Sequence, residues 1–223
     1  MKNYLHIVFS MCISILTAQD HFDKGTILDS IWLNNELKES YSLYLPKNYS
    51  PNVLNSIVFI FDPLGRGKEG IRPFIQSSEK YNYILVCSNN SKNGPYQENF
   101  EIANRLFSSV FSSFNIDPKQ IYVAGFSGGS RFSSAIAELT EQIQAVIACG
   151  AGFPDNINYA PNTPKFSYAG IVGNRDMNYI EMWNNKVFLN KLGFTNSLFV
   201  FDGNHQWPST ETILGVFDLS LIH

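Results

Sequence analysis

Ile121-Tyr122-Val123-Ala124-Gly125-Phe126-Ser127-Gly128-Gly129-Ser130 is the stretch on which the fold turns. Ile121 to Ala124 is an apolar run that reads as a strand, and Ser130 to Glu141 carries a helical pattern. Between them lies Gly125-Phe126-Ser127-Gly128-Gly129, a G-x-S-x-G sequence with strand before and helix after. So tight a reversal forces the serine into a strained backbone conformation. The residues two before and two after it must lack a Cβ, because one would collide with neighbouring backbone. The turn lifts the Ser127 hydroxyl above the sheet and aims the Gly128 N–H and the helix N-terminus at the same point. Ser127 is therefore read as a candidate nucleophile rather than as a serine in an ordinary Gly-rich turn.

Working outward, strands and helices alternate. Ile27 to Leu33 and Tyr41 to Leu45 read as two strands around a turn at Asn34-Asn35, with Pro46 stopping the second. Ser56 to Phe61, Tyr83 to Cys87, Ile143 to Cys149, Phe166 to Val172 and Ser197 to Phe201 are apolar runs of the kind that a sheet covered on both faces requires. Helical spacing is clearest from Glu98 to Phe114, where Ile102, Ala103, Leu106, Phe107, Val110, Phe111 and Phe114 recur every three or four residues. Tyr179 to Leu192 is a further helix, ended by Gly193. This alternation predicts an α/β domain on a mostly parallel central sheet flanked by helices. Gly150 to Lys165 has Pro154, Pro161 and Pro164 and no periodicity, so it reads as a loop that cannot form a cap domain.

A serine nucleophile needs a base, and the chain has four histidines. His6 and His21 lie at the start and His223 is the last residue, which leaves His205, just past the final strand, as the candidate. The acid that orients it is read as Asp176, which follows the strand Phe166 to Val172 through Gly173-Asn174-Arg175. Asp202 and Asp155 are the competitors. The order Ser127, Asp176, His205 is the nucleophile–acid–base order of one hydrolase class. Besides Gly128, a second oxyanion donor is expected in Asp62-Pro63-Leu64-Gly65, from Leu64 or else Gly65, because Pro63 has no N–H. The polar stretch Ser88 to Pro95, with Asn89 and Asn90, is read either as a substrate-binding wall or as a plain surface loop. Arg66 and Arg175 are either anion-binding or simply solvated.

Composition narrows the function classes. The chain has 223 residues, 44% hydrophobic and 16% charged, which suits one globular domain and not a disordered chain. A net charge of −3 without a basic run makes nucleic acid an unexpected partner. The first residues have the order of an export signal: Lys2, the apolar run Tyr4 to Leu16, then Thr17-Ala18-Gln19. That run is short of the roughly 20 residues a spanning helix needs. Met11 before Cys12 argues against a lipoprotein site. Residues 1–19 are thus read as a signal peptide and 20–223 as one catalytic domain, secreted or periplasmic, with no membrane span after cleavage. Removing the leader leaves Cys87 and Cys149, both ending apolar runs and read as small core residues rather than a bridge.

The chain resembles the α/β-hydrolase superfamily over essentially all of residues 20–223, and more narrowly secreted esterases of the feruloyl-esterase and polyhydroxybutyrate-depolymerase type. The matching segments are Tyr41-Ser42-Leu43-Tyr44-Leu45-Pro46, the elbow at Ser127, Gly173-Asn174-Arg175-Asp176 and Gly203-Asn204-His205-Gln206-Trp207-Pro208. The resemblance implies Ser127, Asp176 and His205 as nucleophile, acid and base, with Trp207 flanking an acyl pocket. Such esterases carry His-Gly after the third strand, where this chain has Asp62-Pro63. The implied activity is ester hydrolysis without metal or cofactor. Because Gly150 to Lys165 cannot form a lid, Ser127 is expected in an open cleft between Ser88 to Pro95 and Trp207. Such a cleft suits a small-molecule or polysaccharide-linked ester, best a short-acyl or aromatic one. A serine peptidase on the same fold and a catalytically silent binding protein are the rival readings.

Overall fold

β3 (Asn55–Phe61) shows why the apolar runs are unbroken. Ile57, Phe59 and Phe61 point to one face and join one core cluster, while Val58 and Ile60 point to the other and join a second. Alternate side chains leave opposite faces of a strand, so a sheet sandwiched between helices needs apolar residues at every position. The structure, a computed structural model, describes residues 22–33 and 36–218. The expected leader, the Asn34-Asn35 turn and His223 lie outside the described residues.

The other strands are β1 (Ile27–Trp32), β2 (Ser40–Tyr44), β4 (Tyr83–Ser88), β5 (Ile116–Phe126), β6 (Ala145–Cys149), β7 (Ser167–Gly173) and β8 (Asn196–Phe201). They form one eight-stranded sheet in the order β1-β2-β4-β3-β5-β6-β7-β8. β1 pairs with β2 and β2 with β4 antiparallel; every later pairing is parallel. The sheet is mostly parallel, as expected.

The helices are α1 (Gly67–Ile71), α2 (Ile75–Tyr81), α3 (Tyr96–Ser113), α4 (Gly128–Leu139), α5 (Tyr179–Lys191) and α6 (Thr210–Asp218). α3, α4 and α5 contribute to the cluster on one face, where Phe107 meets Phe59 edge-on at 4.5 Å. Ile71 of α1 and Ile213, Val216 and Phe217 of α6 close the other face together with Phe74. α1, α2 and α6 are not anticipated from periodicity. α1 and α2 are short and interrupted by Gly70 and Pro73, and α6 spans only Thr210–Asp218, so tertiary packing rather than a long apolar stripe holds them.

β5 reaches back to Ile116, five residues before the expected start, through a partly exposed segment at Asp117-Pro118-Lys119. Its register against β3 shifts between Asn55 and Ile57. Residues 150–165 carry a single 3-10 turn at Ile157–Tyr159 and no cap domain. Cys87 and Cys149 are free and buried, and burial pushes both thiols well up from their ordinary value.

Candidate active site

Parallel sheets gather working residues at the carboxyl ends of their strands, and here Ser127, Asp176 and His205 follow β5, β7 and β8. β5 runs into Ser127, whose backbone sits at φ 52° and ψ −119° before α4 begins. That strained conformation is held by the Ser127 N–H, which donates to Cys149 O at the end of β6 (2.8 Å). The elbow glycines are there for space. A Cβ on Gly129 would fall on the Phe61 carbonyl, and one on Gly125 would fall on the Gly129 backbone.

The serine is within reach of the other two residues. His205 Nε2 lies 2.9 Å from Ser127 Oγ, and His205 Nδ1 lies 2.9 Å from each carboxylate oxygen of Asp176. Asp176 is buried, with 1% of its side chain exposed, and its Oδ1 also accepts from the Asn178 N–H (2.8 Å). The imidazole packs against Phe126, tilted by 37° with 4.7 Å between ring centres. Gly150, at φ +68°, closes the floor: a Cβ there would meet Phe126 at 2.9 Å, Asp176 Oδ2 at 3.2 Å and His205 Cε1 at 3.3 Å. Asp202, the competing acid, has a side chain 79% exposed and is paired with Arg175.

Around this core the expected secondary residues are placed differently. The Leu64 N–H donates to Asp62 Oδ1 (2.9 Å) and the Gly65 N–H to Asp62 O (3.0 Å), so both expected oxyanion donors are engaged by Asp62 in a tight turn. Asn89 Oδ1 accepts from the Gly67 N–H (3.1 Å) and Asn89 Nδ2 donates to Ser40 Oγ (3.0 Å), while Asn90 Oδ1 accepts from the Ser40 N–H (2.8 Å). Their amides tie the loop to β2 and α1 instead of facing substrate. Trp207 packs on Phe126 (5.3 Å) and Phe74 (6.0 Å), and its indole N–H donates to Asp62, which borders the cleft that holds Ser127. Gly128 stays available, because the first N–H groups of a helix have no intrahelical acceptor.

Asp62 stands where the resemblance leads one to expect histidine, and its side chain is fully buried. It accepts from Arg66 Nε and Nη2 (3.0 Å each) and from Trp207 Nε1 (3.0 Å). Burial pushes its carboxyl upward, but the Arg66 fork, the Trp207 N–H and the Leu64 N–H outweigh burial and hold it below its ordinary value of 3.8. Arg66 is thereby occupied, as Arg175 is by Asp202. A carboxylate depressed on folding adds stability above its unfolded pKa and loses it as pH falls through the folded one. The stability difference between wild type and Asp62→Asn should therefore be full at neutral pH and shrink below about pH 4. Urea melts at pH 7 and pH 3 measure it, and a difference that does not shrink would contradict the charged clasp.

The cleft over Ser127 has a volume of about 340 Å³ and is walled by Ser91 to Gly94 on one side and by Tyr96, Arg131 and Phe132 on the other. Tyr96 and Arg131 also border a neighbouring cavity of about 790 Å³ that reaches Phe153 and Phe188. Arg131 is fixed by the Phe153 carbonyl (2.7 Å) and by Glu181 (2.6 Å). Asp62 is marked in the sequence only as a departure from the His-Gly of the resembled esterases and Asn93 only as part of the polar stretch Ser88 to Pro95, while nothing local distinguishes Arg131 from other helix residues.

A mostly parallel sheet of this order, with a strained strand–turn–helix elbow after β5, is the α/β-hydrolase fold. No family model matches the chain, and no curated protein matches it. Among solved structures it is similar to the S-formylglutathione hydrolase from Staphylococcus aureus, at 10% identity and a TM-score of 0.67, over 88% of this chain and 94% of that one. Esterase PE8 is 15% identical with a TM-score of 0.65, over 83% and 99%. A mutant of the feruloyl esterase module from Clostridium thermocellum, complexed with sinapinate, is 15% identical with a TM-score of 0.62, over 89% of each chain. The chain thus resembles α/β-hydrolase esterases, feruloyl esterases among them, and at such identities the likeness is one of fold.

Proposed function

We propose that the protein is a serine hydrolase of carboxylic esters. The observation that carries this reading is the hydrogen-bonded line Ser127–His205–Asp176, with both links at 2.9 Å and the serine on a strained elbow. In the reaction, His205 Nε2 takes the Ser127 proton while Oγ attacks the ester carbonyl. Asp176 holds Nδ1–H and stabilises the imidazolium, and the Gly128 N–H receives the developing oxyanion. His205 then gives its proton to the leaving alcohol. Water, activated by the same imidazole, hydrolyses the acyl-enzyme and frees the serine.

The cleft supports a substrate class. It is open, polar on the Ser91–Gly94 side and separated only by Tyr96 and Arg131, which border both, from a cavity bearing Phe153 and Phe188. Such a shape suits a short-acyl or aromatic ester carrying a bulky, partly polar group, free or attached to a polysaccharide, better than a long lipid chain that needs an apolar tunnel. The same reading has the protein exported by its first 19 residues. Among the described residues no helix is long and apolar enough to cross a membrane.

A panel of p-nitrophenyl acyl esters, hydroxycinnamate esters, long-chain triglycerides and peptide anilides tests the proposal. Short-acyl and aromatic esters should be turned over, without activation at an oil–water interface. Preferential cleavage of anilides would make the protein a peptidase. Turnover of nothing, with no labelling of Ser127, would make it a silent scaffold.

A further inference from the structure

A Cβ added to Gly128 would collide with the side-chain amide of Asn93. Asn93 therefore lies against the residue whose N–H faces the reacting carbonyl, in the cleft that also holds Ser127. Its own amide makes no hydrogen bond among the described residues. Everything around it is pinned. The Asn93 N–H donates to Pro63 O (2.8 Å), which fastens this loop to the turn after β3. Asn99, buried in the first turn of α3, accepts from Ser91 Oγ (2.9 Å) and the Lys92 N–H (3.1 Å), and donates to Lys92 O (2.9 Å) and Pro95 O (3.2 Å). Ser88 Oγ accepts from the N–H groups of Asn90 (3.2 Å) and Ser91 (2.9 Å). A loop this tightly held presents one free amide, at the elbow.

The turn after β3 leaves a gap that this amide fits. Leu64 and Gly65 give their N–H groups to Asp62, so Gly128 lacks a partner donor from that side. We propose that Asn93 Nδ2–H is the second donor of the oxyanion hole, completing with the Gly128 N–H a site for the tetrahedral intermediate of the ester hydrolysis proposed above, on which this inference rests. Asn93 Oδ1 is the atom nearest Gly128, with Nδ2 beyond it. Because neither is otherwise bonded, a half-turn of the amide brings Nδ2 to the oxyanion without breaking a hydrogen bond. A donor carried on a pinned loop beside the point where charge develops stabilises the transition state more than the ground state, so its signature lies in kcat.

The test compares wild type, Asn93→Ala and Asn93→Asp on one p-nitrophenyl ester, together with the rate of inactivation by a fluorophosphonate, whose phosphoryl oxygen seeks the same donors. Asn93→Ala removes the donor without adding charge and so carries the donor claim, whereas Asn93→Asp keeps the size and shape of the side chain but sets a carboxylate against the oxyanion and should fall at least as far. Both variants should lose about 10²–10³-fold in kcat with KM little changed, and inactivation should slow in step. A kcat in either variant within about threefold of wild type would overturn the assignment and leave the ester-hydrolase reading standing. A rise in KM alone would make Asn93 a ground-state contact and overturn it as well. A wild-type protein that neither hydrolyses the ester nor reacts with the fluorophosphonate would remove the reading and the inference together.

Discussion

Ser127→Ala should lower ester turnover by about 10⁴-fold or more while leaving the melting transition close to wild type. The first effect follows from geometry: Ser127 Oγ is the atom at 2.9 Å from His205 Nε2, and among the described residues no other serine stands in an elbow. The second follows from the backbone. Alanine has the same Cβ as serine and tolerates φ 52° no worse, so the N–H to Cys149 bond that holds the turn is kept. Turnover measured beside thermal unfolding checks both. A variant that retains more than a few per cent of wild-type turnover would move the nucleophile elsewhere.

Asp176→Asn should cost about 10⁴-fold in kcat, because an amide facing Nδ1 favours the wrong imidazole tautomer and cannot stabilise the imidazolium. Asp202→Asn should cost far less. Asp202 is a solvent-facing partner of Arg175, and that salt bridge lies at the surface, where such pairs contribute little. The two variants assayed side by side make the comparison independent of substrate choice. The reverse ranking would place the acid at the end of β8 instead of β7.

The elbow was legible because three independent signals coincide within ten residues: a strand pattern, glycines flanking Ser127 at the required offsets, and a following helix. The histidine followed from counting, since only His205 sits at a strand end within the body of the chain. The inner strands were legible for the same reason that they are buried on both faces, as β3 illustrates. The secondary residues were not legible, because what fixes them is contact across long stretches of chain. Trp207 is anchored through its indole N–H to Asp62, 145 residues away, a contact that no local pattern announces. Asn89 and Asn90 looked like substrate ligands because a polar loop at a strand end presents amides, and sequence does not say whether those amides face outward or back onto β2. Asn93 differs from them in no local feature; its proximity to Gly128 exists only once β4 and β5 are brought to either side of β3.

Fluorophosphonate labelling of the wild-type protein, followed by peptide mapping, tests the central claim most directly. One adduct per chain is expected, on the peptide containing Ser127, abolished in Ser127→Ala and strongly slowed in a variant lacking His205. An adduct on any other residue, or none under conditions that label an ordinary serine esterase, would contradict it.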